Sequence, residues 1–425
     1  MTTNDRIPIL RCSKVTRQLH GTLSLDGSKS ISNRAIIALA LAGEKPNKWL
    51  SNLSTSNDTH TLLQMLEQRE GVFDAGDAGT SFRFMVGYLS IQPGEQVLGG
   101  SARMLERPVG PLVQALRELG ADIQFLEREG YPPLKIGAMQ AGARSVRVAA
   151  NVSSQFLSSL LLIAPSLPEG LELVPEGPLV SRPYLEMTLE LMRYFGANCR
   201  WQNDTIIVDP GHYNPRPLSI EADWSAASYW YALAAFSEDL DLSLQGLQEH
   251  SWQGDSVVAN MMQRFDIQTI YGQNEIRLIK KGGTSRPFFE MDFLECPDIA
   301  QTLAVVCAAL GTAGVFSGLE TLSIKETDRI GALKTELAKV GVSFAKLPAR
   351  FLKKPLETTF YTLEGKVDLT ALPRFATYGD HRMAMSFATL AMLGPVEIEN
   401  PESVAKSYPQ FWEHLKYMGF GVQFR

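Results

Sequence analysis

Gln114-Ala115-Leu116-Arg117-Glu118-Leu119-Gly120-Ala121-Asp122-Ile123 reads as an amphipathic helix, a closing glycine and the start of a short strand. Glycine suits that junction because the residue ending such a helix takes a left-handed conformation. The same shape recurs at 189–199 around Gly196, at 333–342 around Gly341 and at 412–420 around Gly419. Looser copies lie at 65–72 around Gly71 and at 260–267, where Asp266 stands near the glycine position. Chance would give two such copies; six argue for a repeated βα unit.

A second recurrence interleaves with the first. Apolar helices start at small polar clusters: Ser28-Lys29-Ser30, Gly79-Thr80-Ser81, Ser153-Ser154-Gln155, Asp223-Trp224-Ser225, Pro297-Asp298 and 378–382. These helices are apolar nearly all round, so they are expected to be buried, beside one amphipathic outer helix per repeat. The stretch Gly27-Ser28-Lys29-Ser30-Ile31-Ser32-Asn33-Arg34 is the richest tip. A helix start exposes unpaired N–H groups and about half a positive charge, and so attracts anions. Its spacing is not that of a Walker A loop. N-capping explains the serines and aspartates by itself. It does not explain the lysines and arginines that sit on several of these tips.

At 425 residues the chain is too long for one ordinary core, which suggests two domains. Its net charge of −6 argues against a nucleic-acid or anionic-membrane surface. The longest apolar stretches, 156–167 and 299–316, are too short or too interrupted to span a bilayer. Residues 1–6 lack a signal pattern, so a cytoplasmic protein is expected. Cys12, Cys199, Cys296 and Cys307 form no Cys-x-x-Cys pair, and six scattered histidines give no zinc-site spacing.

Two charged clusters accompany the tips: Lys325-Glu326-Thr327-Asp328-Arg329 and Asp380-His381-Arg382. Alternating charges usually mark a solvated face. Glu326, however, sits against Lys325 and one helical turn short of Arg329. Such a carboxylate stays ionised until an anion offsets the cations, and its rising pKa then suits a proton donor.

Taken in order, these strings closely resemble the EPSP synthase family, the 3-phosphoshikimate 1-carboxyvinyltransferases. The resemblance runs through 27–34, Asp77-Ala78-Gly79-Thr80-Ser81-Phe82-Arg83, Glu106-Arg107-Pro108 and 153–157. It continues through Ser181-Arg182-Pro183-Tyr184, Pro297-Asp298, 325–329, 380–385 and Ala405-Lys406-Ser407-Tyr408-Pro409. It implies an α/β enolpyruvyl transferase-like fold of two similar domains, each with three βα repeats whose buried helices point their N-termini at an interdomain cleft. The crossovers that it implies give 1–26 with 223–425 as a discontinuous first domain and 27–222 as the second. The implied reaction joins shikimate 3-phosphate to phosphoenolpyruvate through a tetrahedral intermediate and releases phosphate, with no metal or organic cofactor. A monomer without nucleic-acid or membrane partners is expected, with glyphosate as an inhibitor in the phosphoenolpyruvate pocket.

The resemblance also assigns residues. Lys29 contacts both substrates, and Ser30 and Arg34 hold the shikimate carboxylate. Ser153, Ser154 and Ser181 take the shikimate phosphate, with Gln155 against the ring and Tyr184 beside it. Arg107, Arg329, Arg382 and Lys406 clamp phosphoenolpyruvate, whose phosphate meets the backbone at Gly79, and Lys325 belongs to the binding set. Asp298 partners the attacking hydroxyl, Glu326 protonates the methylene and His381 orients Glu326 or the developing charge. The family usually has asparagine at Asp77, proline at Asp26, often proline at Phe84, and a small residue at Trp224. An extra carboxylate at Asp77 weakens anion binding unless Arg83 pairs with it. The nearest rival within the fold is UDP-N-acetylglucosamine enolpyruvyl transferase, which carries a reactive loop cysteine. Here the second domain offers Cys199, in a strand-like segment without a Pro-Cys motif. A non-catalytic repeat protein binding phosphorylated ligands is the reading from another class.

Overall fold

The computed structural model describes residues 7–68, 70–140, 142–150, 153–282, 288–348 and 358–425. Contacts divide the chain into a first unit, 1–25 with 222–425, and a second, 26–221. Asp26 falls in the second unit because its carboxylate accepts the Thr55 amide and hydroxyl, each at 2.6 Å. Ala222 falls in the first, where its N–H donates to the Gly246 carbonyl at 2.8 Å.

The first unit repeats one plan three times. In one sheet Phe288–Asp292 pairs in parallel with Ala313–Ser317, and the buried helix Ala300–Leu310 makes the crossover. Parallel neighbours need such a connection. The outer helix Arg329–Ala338 then leads to Ser343–Lys346, which pairs antiparallel with Tyr361–Glu364. A second sheet orders Ile267–Gly272, Glu275–Lys280, Asp239–Gln245 and Gln18–Ser24, with Trp224–Phe236 as its buried helix. A third orders Arg374–Phe375, Val396–Glu399, Ile9–Ser13 and Gly421–Phe424, with His381–Ala388 buried.

The second unit holds two sheets of the same plan. Val72–Asp74 and Glu95–Gly99 flank the helix Gly79–Ser90, and Ser145–Ala149 and Leu171–Glu176 flank Ser154–Ile163. Its third copy is reduced. Among the described residues, only Leu50–Ser51 and Leu218–Ser219 pair there, beside the helices Lys29–Leu41 and Asn57–Glu67. This copy is built where the chain enters and leaves the unit.

The closing residues behave as the pattern requires. Gly120 has φ 102°, and Asp266 takes the same left-handed region at φ 67° in the copy without glycine. Asp is among the few side chains that tolerate it. The core forms where the all-apolar helices meet. Twelve residues of Trp224–Phe236 are buried, including Trp224, Tyr229, Trp230 and Tyr231. Trp224 is 0 % exposed and stacks on Tyr231 with ring centroids 6.5 Å apart. The indole therefore packs into the core, which explains how this bulky side chain is accommodated beside Asp223.

Replacing Trp224 by alanine empties a sealed site. The expected loss is about 3–5 kcal/mol of stability, measured as a lower urea midpoint with an unchanged slope. A midpoint equal to that of the unaltered chain would show that the indole is not packed in the core.

Candidate active site

Within the second unit the tips of three buried helices meet. Ser28 caps Lys29–Leu41 through its hydroxyl, which accepts the Ile31 amide, and Ser153 caps Ser154–Ile163 by accepting the Gln155 amide. Gln155 Nε2 then donates to Thr80 Oγ1 at 3.0 Å, tying that tip to the start of Gly79–Ser90. Lys29 Nζ pairs with Asp58 Oδ2 at 3.2 Å.

Arg34 lies deeper, 1 % exposed. It donates to Thr188 Oγ1 at 2.7 Å, the Ser30 carbonyl at 2.9 Å, Ser158 Oγ at 3.1 Å and the Tyr184 carbonyl at 3.4 Å. Those bonds occupy four of the five guanidinium donors, and every acceptor is neutral. The rings of Phe84 and Tyr184 lie 5.3 and 5.9 Å from its central carbon, an arrangement that favours a cation. Burial still lowers Arg34 to about 10. A buried cation without a carboxylate is costly, and an anionic ligand would offset that cost.

Gly79 opens its helix beneath Arg107, which is 7 % exposed. A Cβ added at Gly79 would lie 2.4 Å from Arg107 Nη1. The missing side chain is therefore what lets the guanidinium lie over the helix start. Asp77 accepts the Ser101 hydroxyl, while Arg83 donates to the Gly79 carbonyl at 3.0 Å. Ser181 sits at φ 58° before the helix Arg182–Tyr194 and makes no capping bond with its side chain. Capping accounts for Ser28 and Ser153 but not for Ser181. A serine held left-handed is backbone strain, of the kind that clusters at functional positions.

The first unit gathers the charged residues. Arg329, 1 % exposed, donates to Asp380 Oδ2 at 2.7 Å, Asp298 Oδ1 at 3.1 Å and Glu326 Oε2 at 3.0 Å. Arg382 donates to the Asp298 carbonyl and to Asp298 Oδ2, each at 2.9 Å. Asp298 thus lies between two guanidiniums. Burial alone would raise its pKa, but Arg382, Lys325 and Arg329 outweigh that and hold it far below the ordinary value. Burial likewise disfavours charged Arg329, but Asp380, Glu326 and Asp298 win and raise it. His381 opens its helix with Nδ1 3.9 Å from Asp380 Oδ1, and Lys406, 9 % exposed, ends the turn Pro401–Lys406. Three buried helices meet one turn below their tips through the hydroxyls of Ser228, Thr302 and Ser386, at successive separations of 3.3 Å.

A family model described as EPSP synthase (3-phosphoshikimate 1-carboxyvinyltransferase) matches residues 14–72 and 64–415. The 3-phosphoshikimate 1-carboxyvinyltransferase of Bacteroides fragilis is 44 % identical over 409 residues, 96 % of this chain and 97 % of that protein. The chain belongs to the EPSP synthase family. The Neisseria meningitidis serogroup B protein of the same name is 33 % identical over 97 % of this chain and 98 % of its own. Among solved structures, EPSP synthase from Acinetobacter baumannii superposes with a TM-score of 0.76 at 22 % identity, covering 98 % of this chain and 100 % of that one. The enolpyruvyl transferase NikO from Streptomyces tendae gives 0.74 at 14 % identity, covering 99 % of each chain. These two establish the fold.

Each unit of this EPSP synthase family member therefore holds one group of the expected residues. Lys29, Ser30, Arg34, Gly79, Arg107, Ser153, Ser154, Gln155, Ser181 and Tyr184 belong to the second unit. Asp298, Lys325, Glu326, Arg329, His381, Arg382 and Lys406 belong to the first. Several partners were absent from the sequence reading. Asp58 was signalled only as an acid in the first turn of its helix, and Thr188 and Ser158 look like ordinary helix residues. Cys199 is buried, and burial pushes its thiol up to about 11, so it does not supply the reactive cysteine of the rival enzyme. Among the described residues no three His, Cys, Asp or Glu side chains are grouped as a metal would need, and no helix is long and apolar enough to cross a membrane.

Asp255 was also missed. It is 3 % exposed, its Oδ2 accepts the Ser225 hydroxyl, and its Oδ1 has no partner. Burial, then the nearby Asp298 charge, push it up to about 7 from 3.8. Between those values the folded chain keeps a proton that the unfolded chain releases, so this contribution to stability is lost as pH rises to about 7. Asp298 acts at the acid end, where its stabilising contribution is lost as pH falls below its ordinary value. Asp255→Asn is therefore expected to flatten the fall in the urea midpoint between pH 5 and pH 8. Parallel curves for the two proteins would show that Asp255 is not held protonated.

Proposed function

We infer that this chain transfers the enolpyruvyl group of phosphoenolpyruvate to the 5-hydroxyl of shikimate 3-phosphate, releasing phosphate. The observation that carries the reading is 44 % identity over nearly the whole length to a 3-phosphoshikimate 1-carboxyvinyltransferase. The two groups of buried cations suit the chemistry, because the substrates together bring two phosphates and two carboxylates. The reading requires both groups to serve one pair of substrates.

The second unit binds shikimate 3-phosphate. Arg34 offers its remaining donor and its uncompensated charge to the carboxylate, next to Ser30. Ser153, Ser154 and Ser181 hold the phosphate, with Gln155 and Tyr184 along the ring. Arg107 and the amides at Gly79 meet the phosphoenolpyruvate phosphate, and Lys29 reaches both ligands after leaving Asp58.

The first unit supplies the proton transfers. Paired with Arg329 and Arg382, Asp298 is too well stabilised as a carboxylate to act as a base. Phosphoenolpyruvate competes for Arg329 and Arg382, with Lys325 and Lys406 adding charge. As those guanidiniums turn to the anion, Asp298 loses its stabilisation and becomes basic enough to accept the hydroxyl proton. The hydroxyl oxygen bonds to the enol carbon while Glu326 protonates the methylene, which gives the tetrahedral intermediate. Loss of a methyl proton back to Glu326 then restores the double bond as the carbon–oxygen bond to phosphate breaks. His381 orients Glu326. Holding the two substrates in line supplies much of the rate. The chain acts as a cytoplasmic monomer.

Glyphosate competes with phosphoenolpyruvate, because it occupies the same anion site over Gly79. The close approach of Arg107 to Gly79 also sets the effect of a methyl group there: Gly79→Ala would first displace Arg107. The substitution is expected to raise KM for phosphoenolpyruvate as well as the inhibition constant, the latter more. Inhibition unaffected by phosphoenolpyruvate concentration would remove glyphosate from this pocket.

Phosphate release is expected to need both substrates and to survive a chelator. Glu326→Gln is expected to lose about a hundredfold or more in turnover, the usual worth of a positioned acid. Deuterium exchange into the phosphoenolpyruvate methylene falls in parallel, while shikimate 3-phosphate binding holds. Release with phosphoenolpyruvate alone would overturn the reaction. Normal turnover by Glu326→Gln would overturn the role of Glu326.

A further inference from the structure

Two residues without a part in this mechanism are built into the first unit's site from behind. The helix Arg329–Ala338 carries Arg329 at its start and Glu336 seven residues on, about 10 Å along the same face. Both are buried, Glu336 at 0 % exposure. Both also reach one short segment of chain. Arg329 Nε holds Asp380 Oδ2 at 2.7 Å, while Glu336 Oε2 accepts the Ala376 amide at 3.0 Å and Oε1 accepts the Tyr378 hydroxyl at 2.7 Å. Lys339 Nζ closes the arrangement, donating to Glu336 Oε2 at 2.6 Å and to the Arg374 carbonyl at 3.0 Å.

Between these two clamps the backbone turns left-handed twice, at Tyr378 with φ 55° and Gly379 with φ 69°. Glycine takes that conformation freely, whereas a bulky residue does not. The Tyr378 side chain is 43 % exposed, so burial of its ring does not hold it there. Its hydroxyl does. Burial and the Glu336 carboxylate push the phenol up to about 12, so it remains a donor throughout the neutral range. The next residue but one, Asp380, caps the following helix through Oδ1, which accepts the Arg382 amide at 2.8 Å. The turn fixed by Tyr378 therefore determines where His381 and Arg382 begin.

We infer that Glu336 and Tyr378 are positioning residues for His381 and Arg382, a buried carboxylate holding a strained tyrosine so that the helix carrying both starts in one place. This rests on the function proposed above for what Arg382 binds, but the clamp itself does not. A bridge that served stability alone would weaken everything equally when cut. A positioning clamp affects the phosphoenolpyruvate residues of this unit and spares the shikimate 3-phosphate residues of the other.

Tyr378→Phe removes one hydroxyl and leaves the ring. The expected result is a KM for phosphoenolpyruvate raised by about tenfold or more, within the range for small misplacements of reacting groups. The dissociation constant for shikimate 3-phosphate and the thermal midpoint stay near those of the unaltered enzyme. Amide hydrogen exchange quickens at 377–384 and not elsewhere. Glu336→Gln keeps an amide oxygen to accept the phenol and is expected to fall between the two. Unchanged exchange at 377–384 in Tyr378→Phe would overturn the clamp whatever the activity. Unchanged KM for phosphoenolpyruvate with quickened exchange would overturn the positioning role, as would equal weakening of both substrates with a lowered midpoint. If the unaltered enzyme released no phosphate, the proposed function would fail while the exchange measurement still decided the clamp.

Discussion

The buried Arg329 guanidinium is the interaction on which the first unit's site depends. It is 1 % exposed and meets three carboxylates from three different segments, at Asp298, Glu326 and Asp380. Taking such groups out of water is expensive, and the Coulombic return is large only when the geometry is satisfied on every side. Here each guanidinium nitrogen has its own carboxylate, and Arg382 adds a second cation on Asp298. The cluster therefore adds charge pairing to the apolar core that the helix Arg329–Ala338, the turn Pro297–Ile299 and the helix His381–Ala388 share. Positions fixed in this way are also poised to change when an anion enters. A carboxylate that pairs with arginine competes with a phosphate or another carboxylate for the same guanidinium.

The second unit solves the opposite problem. Arg34 has neutral oxygens and two aromatic faces around it, and burial lowers its pKa rather than a carboxylate raising it. An internal ion pair at this position would have to be broken before a ligand carboxylate bound. Phe84 contributes one of those faces. Lys29 follows the other strategy, waiting on Asp58. Arg34 carries its charge at a cost in desolvation, whereas Lys29 and the first unit's Arg329 and Arg382 are occupied by the chain's own acids.

Much of this was legible from sequence because helix ends are written in local chemistry. Gly120 and its equivalents closed the outer helices, and Ser28, Ser153, Asp223 and Asp380 proved to be caps of buried ones. The reduced third copy of the second unit was not legible, because Leu50–Ser51 and Leu218–Ser219 are strands of two residues separated by most of the unit. Nor were Asp255 and Glu336. Asp255 follows a glycine on a short turn, and Glu336 stands on an amphipathic helix in a run of exposed charge. Both look solvated in one dimension. Their burial follows from packing between segments distant in sequence, which no local pattern records.

Backbone strain carries a signal that composition lacks. Among the described residues, seven other than glycine have positive φ, and five of them are asparagine or aspartate. Those five need no further cause, since their short polar side chains tolerate the left-handed region. The remaining two are Ser181 and Tyr378. Ser181 immediately precedes a helix without capping it, leaving its hydroxyl to other use. Tyr378 stands three residues before His381, fastened to a buried carboxylate. Strain of this kind persists where surrounding bonds over-determine the conformation. In this chain both exceptions fall just before a helix that carries proposed substrate-binding residues, one in each unit. Since such a conformation relaxes unless something holds it, the holding contacts belong to the site as much as the residues that touch substrate.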